Sequence, residues 1–435
     1  MYIRMAQERR FTAVLLLFVV ATVLVVPAFA SGVSEDSFHD WYGDIHEQVG
    51  GESVQNTGLT VFPTLMIPMG GEQEGMGTAY TAVSRDASFL EANPAASSRL
   101  EKTEAAVFHN NLIADTNMEG AVYTSRRENL GYGVGAKHLH VPFTSYDDYG
   151  GQLGTARYSE TVVAGNVSYN FFSGFYFSGI SLGANVKAAY RHIPDRIAPG
   201  QSAAGVMTDL GILTRFHFLK PYSSQEPNFS LGTAIKNLGP PVLDEPLPTV
   251  WSTGISWAPL RPLLLAADIH VPIMPFSDQP PPDPSYAVGA ALTVTDFFVL
   301  RSGFLLMGGN PRLTMGSGIQ IQEMTITVNY TLDMTTQLSA FDRFSIQAAF
   351  SLGDRGRGDR RDQVRTLYLD SLQHFAVGEL EEAIYLNRQA LALDPSFEPA
   401  RETLAMAARM LDLQNRMESI RLDEDRLRPD ERLRE

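Results

Sequence analysis

Three sets of residues have the types and spacing to do chemistry. Gly179-Ile180-Ser181-Leu182-Gly183 matches G-x-S-x-G, the pattern that lifts a nucleophilic serine on a sharp strand-to-helix turn. His138 and His140 stand two residues apart and could hold a metal with a third ligand. Val61, Phe62, Leu65, Met66, Ile67 and Met69 form an apolar patch in a stretch otherwise rich in Gly, Pro and acidic residues. Methionine there suits adaptable contact with flexible apolar molecules. Context weakens the first two. Ser181 lies inside an alternating segment with no turn to raise it, and no H-E-x-x-H companion, phosphate loop or dinucleotide fingerprint accompanies the histidines. The sequence therefore predicts no enzyme, no cofactor and no metal site, and reads Ser181, His138 and His140 as polar lining of a lumen. The apolar patch keeps two readings, a ligand site or plain packing of a plug.

The elements that would position these residues are short strands. Thr161 to Val186 carries no charged side chain, yet it is not a membrane helix. Val163, Gly165, Val167, Tyr169 and Phe171 alternate with Ala164, Asn166, Ser168 and Asn170; Ile180, Leu182, Ala184 and Val186 then alternate with Gly179, Ser181, Gly183 and Asn185. Period-2 patterning without charge puts apolar residues on one face and small or polar ones on the other, as a barrel wall between lipid and a polar lumen requires. The same pattern recurs to give fourteen expected strands, near 105–112, 118–126, 129–141, 155–170, 174–191, 202–217, 227–236, 249–258, 262–270, 284–295, 296–306, 312–322, 324–332 and 341–352. Short links, such as 127–128, 172–174, 259–261 and 322–323, alternate with long ones at 142–154, 192–201, 237–248 and 271–283. The link 218–226 breaks that rule. A soluble β-sandwich or propeller is the alternative, but no blade-length repeat is visible and uncharged outward faces suit lipid better than water.

The ends differ from the middle. Arg4, Arg9 and Arg10, the apolar run from Phe11 to Val26 and Ala28-Phe29-Ala30 predict a secretory signal over 1–30. Residues 31–102 are expected to precede the barrel, 103–353 to form it, and 354–435 to be helical. Within the last region Phe375, Gly378, Ala383, Ala390 and Pro395 fall at tetratricopeptide spacing. A second such unit starts at Pro399 and fades after Leu411. So short a hairpin must pack on something, the barrel or a partner. The chain has no cysteine, and a net charge of −15 argues against nucleic acid as a partner.

Gly75 to Ser97, GMGTAYTAVSRDASFLEANPAAS, resembles the N-terminal signature of FadL-type and PorV-type outer-membrane barrels. The matching residues are Gly75, Gly77, Ala79, Ala82, Asp86, Ala87, Ser88, Asn93, Pro94 and Ala95. The layout resembles spirochaetal FadL-like proteins, some of which add a tetratricopeptide tail. The resemblance implies a mainly β fold: a fourteen-stranded antiparallel transmembrane barrel, residues 31–102 folded inside as a hatch, and a small helical tail. It also implies uptake of hydrophobic molecules, typically long-chain fatty acids, and places Asn93-Pro94-Ala95 in the hatch. Bottom-up, N-P makes a rigid reversal. Gly131, Gly133 and Gly135 share one face of the third strand. The resemblance invites a kink there with a lateral exit to the membrane; the alternative is small lumen residues beside the hatch.

The function expected is transport of a fatty acid or other hydrophobic small molecule across the outer membrane, with lipid as the barrel's surroundings. Fourteen strands return the chain to the side where it began, so the N-terminal segment and the tail are both expected in the periplasm. The alternative is a PorV-like scaffold that recruits a periplasmic protein through residues 364–412.

Overall fold

The computed structural model describes residues 61–112, 115–146, 149–197, 199–224, 226–276, 281–307, 310–333 and 343–427. The expected signal and the stretch 31–60 lie outside them. Fourteen antiparallel strands close into one barrel in strict sequence order. They are β1 Glu104–Asn111, β2 Asn117–Arg127, β3 Leu130–Tyr146, β4 Gln152–Phe171, β5 Ile180–His192, β6 Ala203–Phe216, β7 Phe229–Leu238, β8 Val250–Leu260, β9 Leu263–Pro272, β10 Ser285–Thr295, β11 Phe298–Met307, β12 Asn310–Ile321, β13 Met324–Asp333 and β14 Arg343–Ser351. β1 pairs with β14 from Glu104↔Ser351 to Asn111↔Phe344, so no strand edge is left open.

Alternation explains the wall. On β4, Val163, Val167, Tyr169 and Phe171 are exposed outward, while Asn166, Ser168 and Asn170 are buried inward. On β5, Leu182 and Val186 point out and Ser181, Asn185 and Lys187 point in. Backbone groups pair around the closed barrel, which is what a wall in hydrocarbon needs. Among the described residues no helix is long and apolar enough to cross a membrane.

Three expectations are corrected. β5 begins at Ile180, so the link after β4 spans 172–179 rather than a three-residue turn. Phe175 and Phe177 mimic strand alternation, but Phe175 stacks edge-on against Phe397 of the tail at 5.1 Å. His138 and His140 lie on the outer face of β3, one residue out of phase with the inward Gly131, Gly133 and Gly135. Their rings stack at 6.2 Å, and His138 Nδ1 meets Thr161 Oγ1 at 2.9 Å. Finally, β3 pairs without a register break from Leu130 to Ser145 against β4, and throughout against β2, so the three glycines open no gap in the wall.

The tail holds three helices: α1 Arg357–Val377, α2 Leu380–Leu393 and α3 Glu398–Leu427. Asp354 starts α1 by accepting the Gly358 and Gly356 amides at 2.6 and 2.9 Å, which holds its carboxyl below the usual range. Gly378 ends α1 in the left-handed region (φ 87°), its amide reaching the His374 and Phe375 carbonyls. Ala383 and Ala390 are fully buried between helices, Phe375 is half-buried and Pro395 is exposed. Past Pro399 there is one continuous helix rather than a second hairpin.

Among the described residues the tail meets the barrel in two regions, the β2–β3 hairpin and the β4–β5 link. Arg360 pairs with Glu128 in the β2–β3 turn at 2.5 Å. Glu398 accepts the Phe175 amide at 2.5 Å, in the space that a side chain at Gly174 would fill. An edge-on aromatic pair contributes roughly 0.5–1.5 kcal/mol and a charged hydrogen bond roughly 1.5–3 kcal/mol. Combining Phe175→Ala with Glu398→Gln is therefore expected to speed tryptic cleavage in the Arg355–Arg361 junction about tenfold or more while the barrel stays resistant. A time course of limited proteolysis reads both.

Candidate ligand path and hatch

Residues 61–102 fill the lumen. Val61 lies at the mouth bearing the long links: its carbonyl accepts from Arg191 at 3.2 Å, and it packs with Ala189, Ala203, Met207 and Leu247. Leu100 lies at the tail mouth, where Arg126 and Arg357 reach its carbonyl at 3.5 and 3.4 Å. The described hatch thus runs from the long-link mouth to the tail mouth before β1 starts. The expected entry from the tail side rests on residues 31–60, which lie outside the described residues. An even strand count fixes the sides of the strand ends, not the path of the segment before them.

The hatch is seated on glycines and tied by polar side chains. At Gly183 a Cβ would overlap the Pro94 carbonyl; at Gly131 it would overlap the Ser97–Ser98 peptide; Gly232 and Gly303 face Thr81 and Gly77 in the same way. Gly133 and Gly135 face Phe89 and Leu90. Glycine lets hatch backbone lie directly on the strand. Asn93, wholly buried, donates to the Thr81 and Ile212 carbonyls at 2.9 and 3.0 Å and accepts the Ala95 amide at 3.0 Å. Asn166 donates to the Pro94 carbonyl at 2.9 Å, and Asn185 to that of Leu90 at 2.8 Å. Ser97 and Ser168 share a hydrogen bond at 2.6 Å.

Ion pairs complete the fastening. Glu72 takes Arg85 at 2.6 Å and also Arg301 of β11. Glu91 pairs with Lys137 of β3 at 2.5 Å. Arg99 donates to Ser181 at 2.8 Å, Ser178 at 2.5 Å and the Gly179 carbonyl at 2.7 Å. Ser181, the serine of the G-x-S-x-G match, is thus an anchor for the hatch.

Two cavities flank the hatch. The first, about 160 Å³, has an apolar side from Leu65, Met66, Ile67, Pro68, Met69 and Leu90. The same lining includes Lys137, Lys187, Lys236, Arg312, Arg343 and His270, with Lys187 paired to Asp209 of β6 at 2.7 Å. Glu91 is the carboxylate among its lining residues. The second, about 400 Å³, lies toward the tail and is lined by Val83, Arg85, Arg99, Arg215, Glu101 and Glu104 among others. Of the predicted ligand residues, Leu65, Met66 and Ile67 line the first cavity. Phe62 does not, being packed against the wall with Val162 and Met207. Asn93, Pro94 and Ala95 sit against Gly183, Asn166 and Gly211 rather than at either cavity.

The stretch Thr81–Arg85 borders both cavities, Thr81 lining the first and Val83 and Arg85 the second. It is pinned by Asp268 of β9, which accepts the Tyr80 and Thr81 amides at 2.9 and 2.7 Å. Arg215 adds a bond to the Val83 carbonyl at 3.1 Å. Asp268 and Arg99 were not foreseen from sequence. The available signal was a lone carboxylate inside the apolar alternation LLLAADIHV.

A profile described as "Uncharacterised protein family (UPF0164)" matches residues 45–355. Two proteins of Treponema pallidum (strain Nichols), each described as a UPF0164 protein, are similar. One is 28% identical over 381 residues, covering 84% of this chain and 87% of the relative. The other is 28% identical over 375 residues, covering 80% and 75%. Among solved structures, the P. putida toluene transporter TodX is similar with a TM-score of 0.44 and 12% identity, covering 65% of this chain and 98% of that one. What passes through this barrel has to be argued from its own residues.

Proposed function

The chain belongs to the uncharacterised protein family UPF0164, and from that premise we propose that it carries long-chain fatty acids or similar hydrophobic molecules across the outer membrane. Passage is by diffusion through the barrel, gated by the hatch. The mouth that bears the tail faces the periplasm in this reading. The observation that carries it is the first cavity, whose lining joins the apolar stretch Leu65–Met69 with Lys137, Lys187, Lys236, Arg312 and Arg343. A molecule with a hydrocarbon chain and an anionic head satisfies both. Each methylene buried on the Leu65–Met69 side contributes about 0.8 kcal/mol. Passage onward requires the hatch turn at Asn93–Ser98 to move off the wall and carry Thr81–Arg85, tied to it through Asn93, out of the way, which opens the first cavity to the second.

Lys236 makes the head-group assignment testable, because it has no hydrogen bond or ion pair to a described residue and lines the cavity. Lys236→Glu is expected to weaken binding of a fluorescent fatty acid about tenfold or more, with little change for its methyl ester. Equal losses for acid and ester would instead place the head group elsewhere. On the apolar side, Met66→Glu is expected to weaken acid and ester alike, since it puts a charge against the hydrocarbon chain. Competition binding on purified protein separates the two patterns.

The scaffold alternative has one observation in its favour, an apolar face of α3 that the barrel and the hairpin leave uncovered.

A further inference from the structure

α3 buries Ala400, Thr403 and Ala407 against the hairpin and keeps a second face free. On that face Met406, Met410, Leu413, Met417 and Ile420 are spaced by four, three, four and three residues, and each is between 50% and 71% exposed. A 3.5-residue period is the seam of a coiled coil, in which each side chain enters a hole on a partner helix. The seam starts at Met406 because Glu402, one turn earlier, meets the Tyr176 hydroxyl at 3.4 Å.

The flanks are cationic. Arg409 and Arg416 border the seam on one side and Arg421 on the other, with Gln414 between. The carboxylates Asp412 and Glu418 lie on other faces of the helix; Asp412 meets Arg416 at 2.9 Å. A helix lying in lipid shows a wide apolar face, with aromatic anchors at the boundary. This seam is narrow and has none. Three methionines let it adapt to the side chains it receives.

We infer that the Met406–Ile420 seam receives one amphipathic helix with acidic flanks from a periplasmic protein, making a two-stranded coiled coil beneath the barrel. The compartment rests on the orientation proposed above; the seam and its charge do not. α3 is held at its start by the β4–β5 link, the same link that Arg99 of the hatch grips through Ser178 and Gly179.

The test uses the full chain in lipid nanodiscs and two synthetic helical peptides. Both carry leucine at the seam positions, one with glutamate flanks and one with lysine flanks. The glutamate peptide is expected to bind at least tenfold tighter by fluorescence anisotropy, and more so at low salt. Met410→Glu with Met417→Glu should abolish binding. Arg409→Glu with Arg416→Glu should reverse the preference. All four positions are exposed, so the tail stays folded, which circular dichroism checks. Equal binding of both peptides, or a preference that survives the reversal, overturns the proposal. A dimer of the free protein that dissociates in the methionine variant overturns it in favour of a second copy. Adsorption to phosphatidylglycerol vesicles lost in that variant, without peptide discrimination, overturns it in favour of a lipid surface. Fatty-acid binding measured on the same samples should not change. Its absence from the wild type would fail the transport reading and leave the seam standing.

Discussion

Replacing Gly183 by leucine turns the closed barrel into a conducting one. The hatch backbone at Pro94–Ala95 rests on this position so closely that even a methyl group has no space. Neither side can yield easily: the strand is paired to β4 and β6 along its length, and the hatch turn is tied by Asn93 and Asn166. Overpacking typically costs about 1–3 kcal/mol, and more where backbone meets backbone. The barrel ladder is continuous and the hatch is joined through side chains, so the hatch is the part that moves. In planar bilayers the wild type is expected to be nearly silent and Gly183→Leu to open long-lived channels. Gly131→Leu acts at the other side of the same hatch turn, under Ser97–Ser98, and should do likewise. Gly165 is the control. It faces outward with nothing near its missing side chain, so Gly165→Leu should remain silent.

Asp268→Ala loosens the barrier between the two cavities by freeing the Tyr80 and Thr81 amides. The carboxylate accepts two consecutive hatch amides, and its loss leaves both buried without their partner. Each stranded donor costs about 1–3 kcal/mol. A shift of about 3 kcal/mol raises the population of a displaced Thr81–Arg85 stretch on the order of a hundredfold. Fatty-acid influx into proteoliposomes is expected to accelerate, since Thr81 forms part of the first cavity's wall and gives way with the barrier. Asp268→Asn keeps an acceptor oxygen and should lie between. Lost binding with unchanged influx would show that the barrier is elsewhere.

How much of this was legible in the sequence follows from the physics of each part. Strands with one wet and one greasy face announce themselves by alternation, so all fourteen were found within a few residues at most ends. The start of β5 differs because Phe175 and Phe177 alternate as a strand would, although Phe175 packs on Phe397, just before α3 and more than two hundred residues away. His138 and His140 stand on the outer face, as the period requires: even positions cannot share the lumen with Gly131, Gly133 and Gly135. The glycine face itself was visible, but not its meaning. A kink and a seat for another backbone call for the same residue, and only the position of Ser97–Ser98 decides between them. Asn93-Pro94-Ala95 was singled out as a rigid turn, and its place against β5 and β6 accounts for that rigidity. The partners of Asp268, Arg99 and Lys137 are out of reach of the sequence, because each depends on which stretch of hatch lies opposite which strand. The cationic lining of the first cavity gathers residues from strands far apart in the chain and leaves no local pattern.

The central claim, that solutes pass only when the hatch moves, is tested most directly by locking the hatch to the wall. Ser97 in the hatch and Ser168 on β4 have hydroxyls 2.6 Å apart, and the chain contains no cysteine to interfere. In the Ser97→Cys, Ser168→Cys double variant an oxidised pair bridges the two elements. Fatty-acid influx into proteoliposomes is predicted to fall to background in the oxidised protein and return to the wild-type rate after reduction, with each single variant unaffected. Wild-type influx through a fully cross-linked protein would contradict the account.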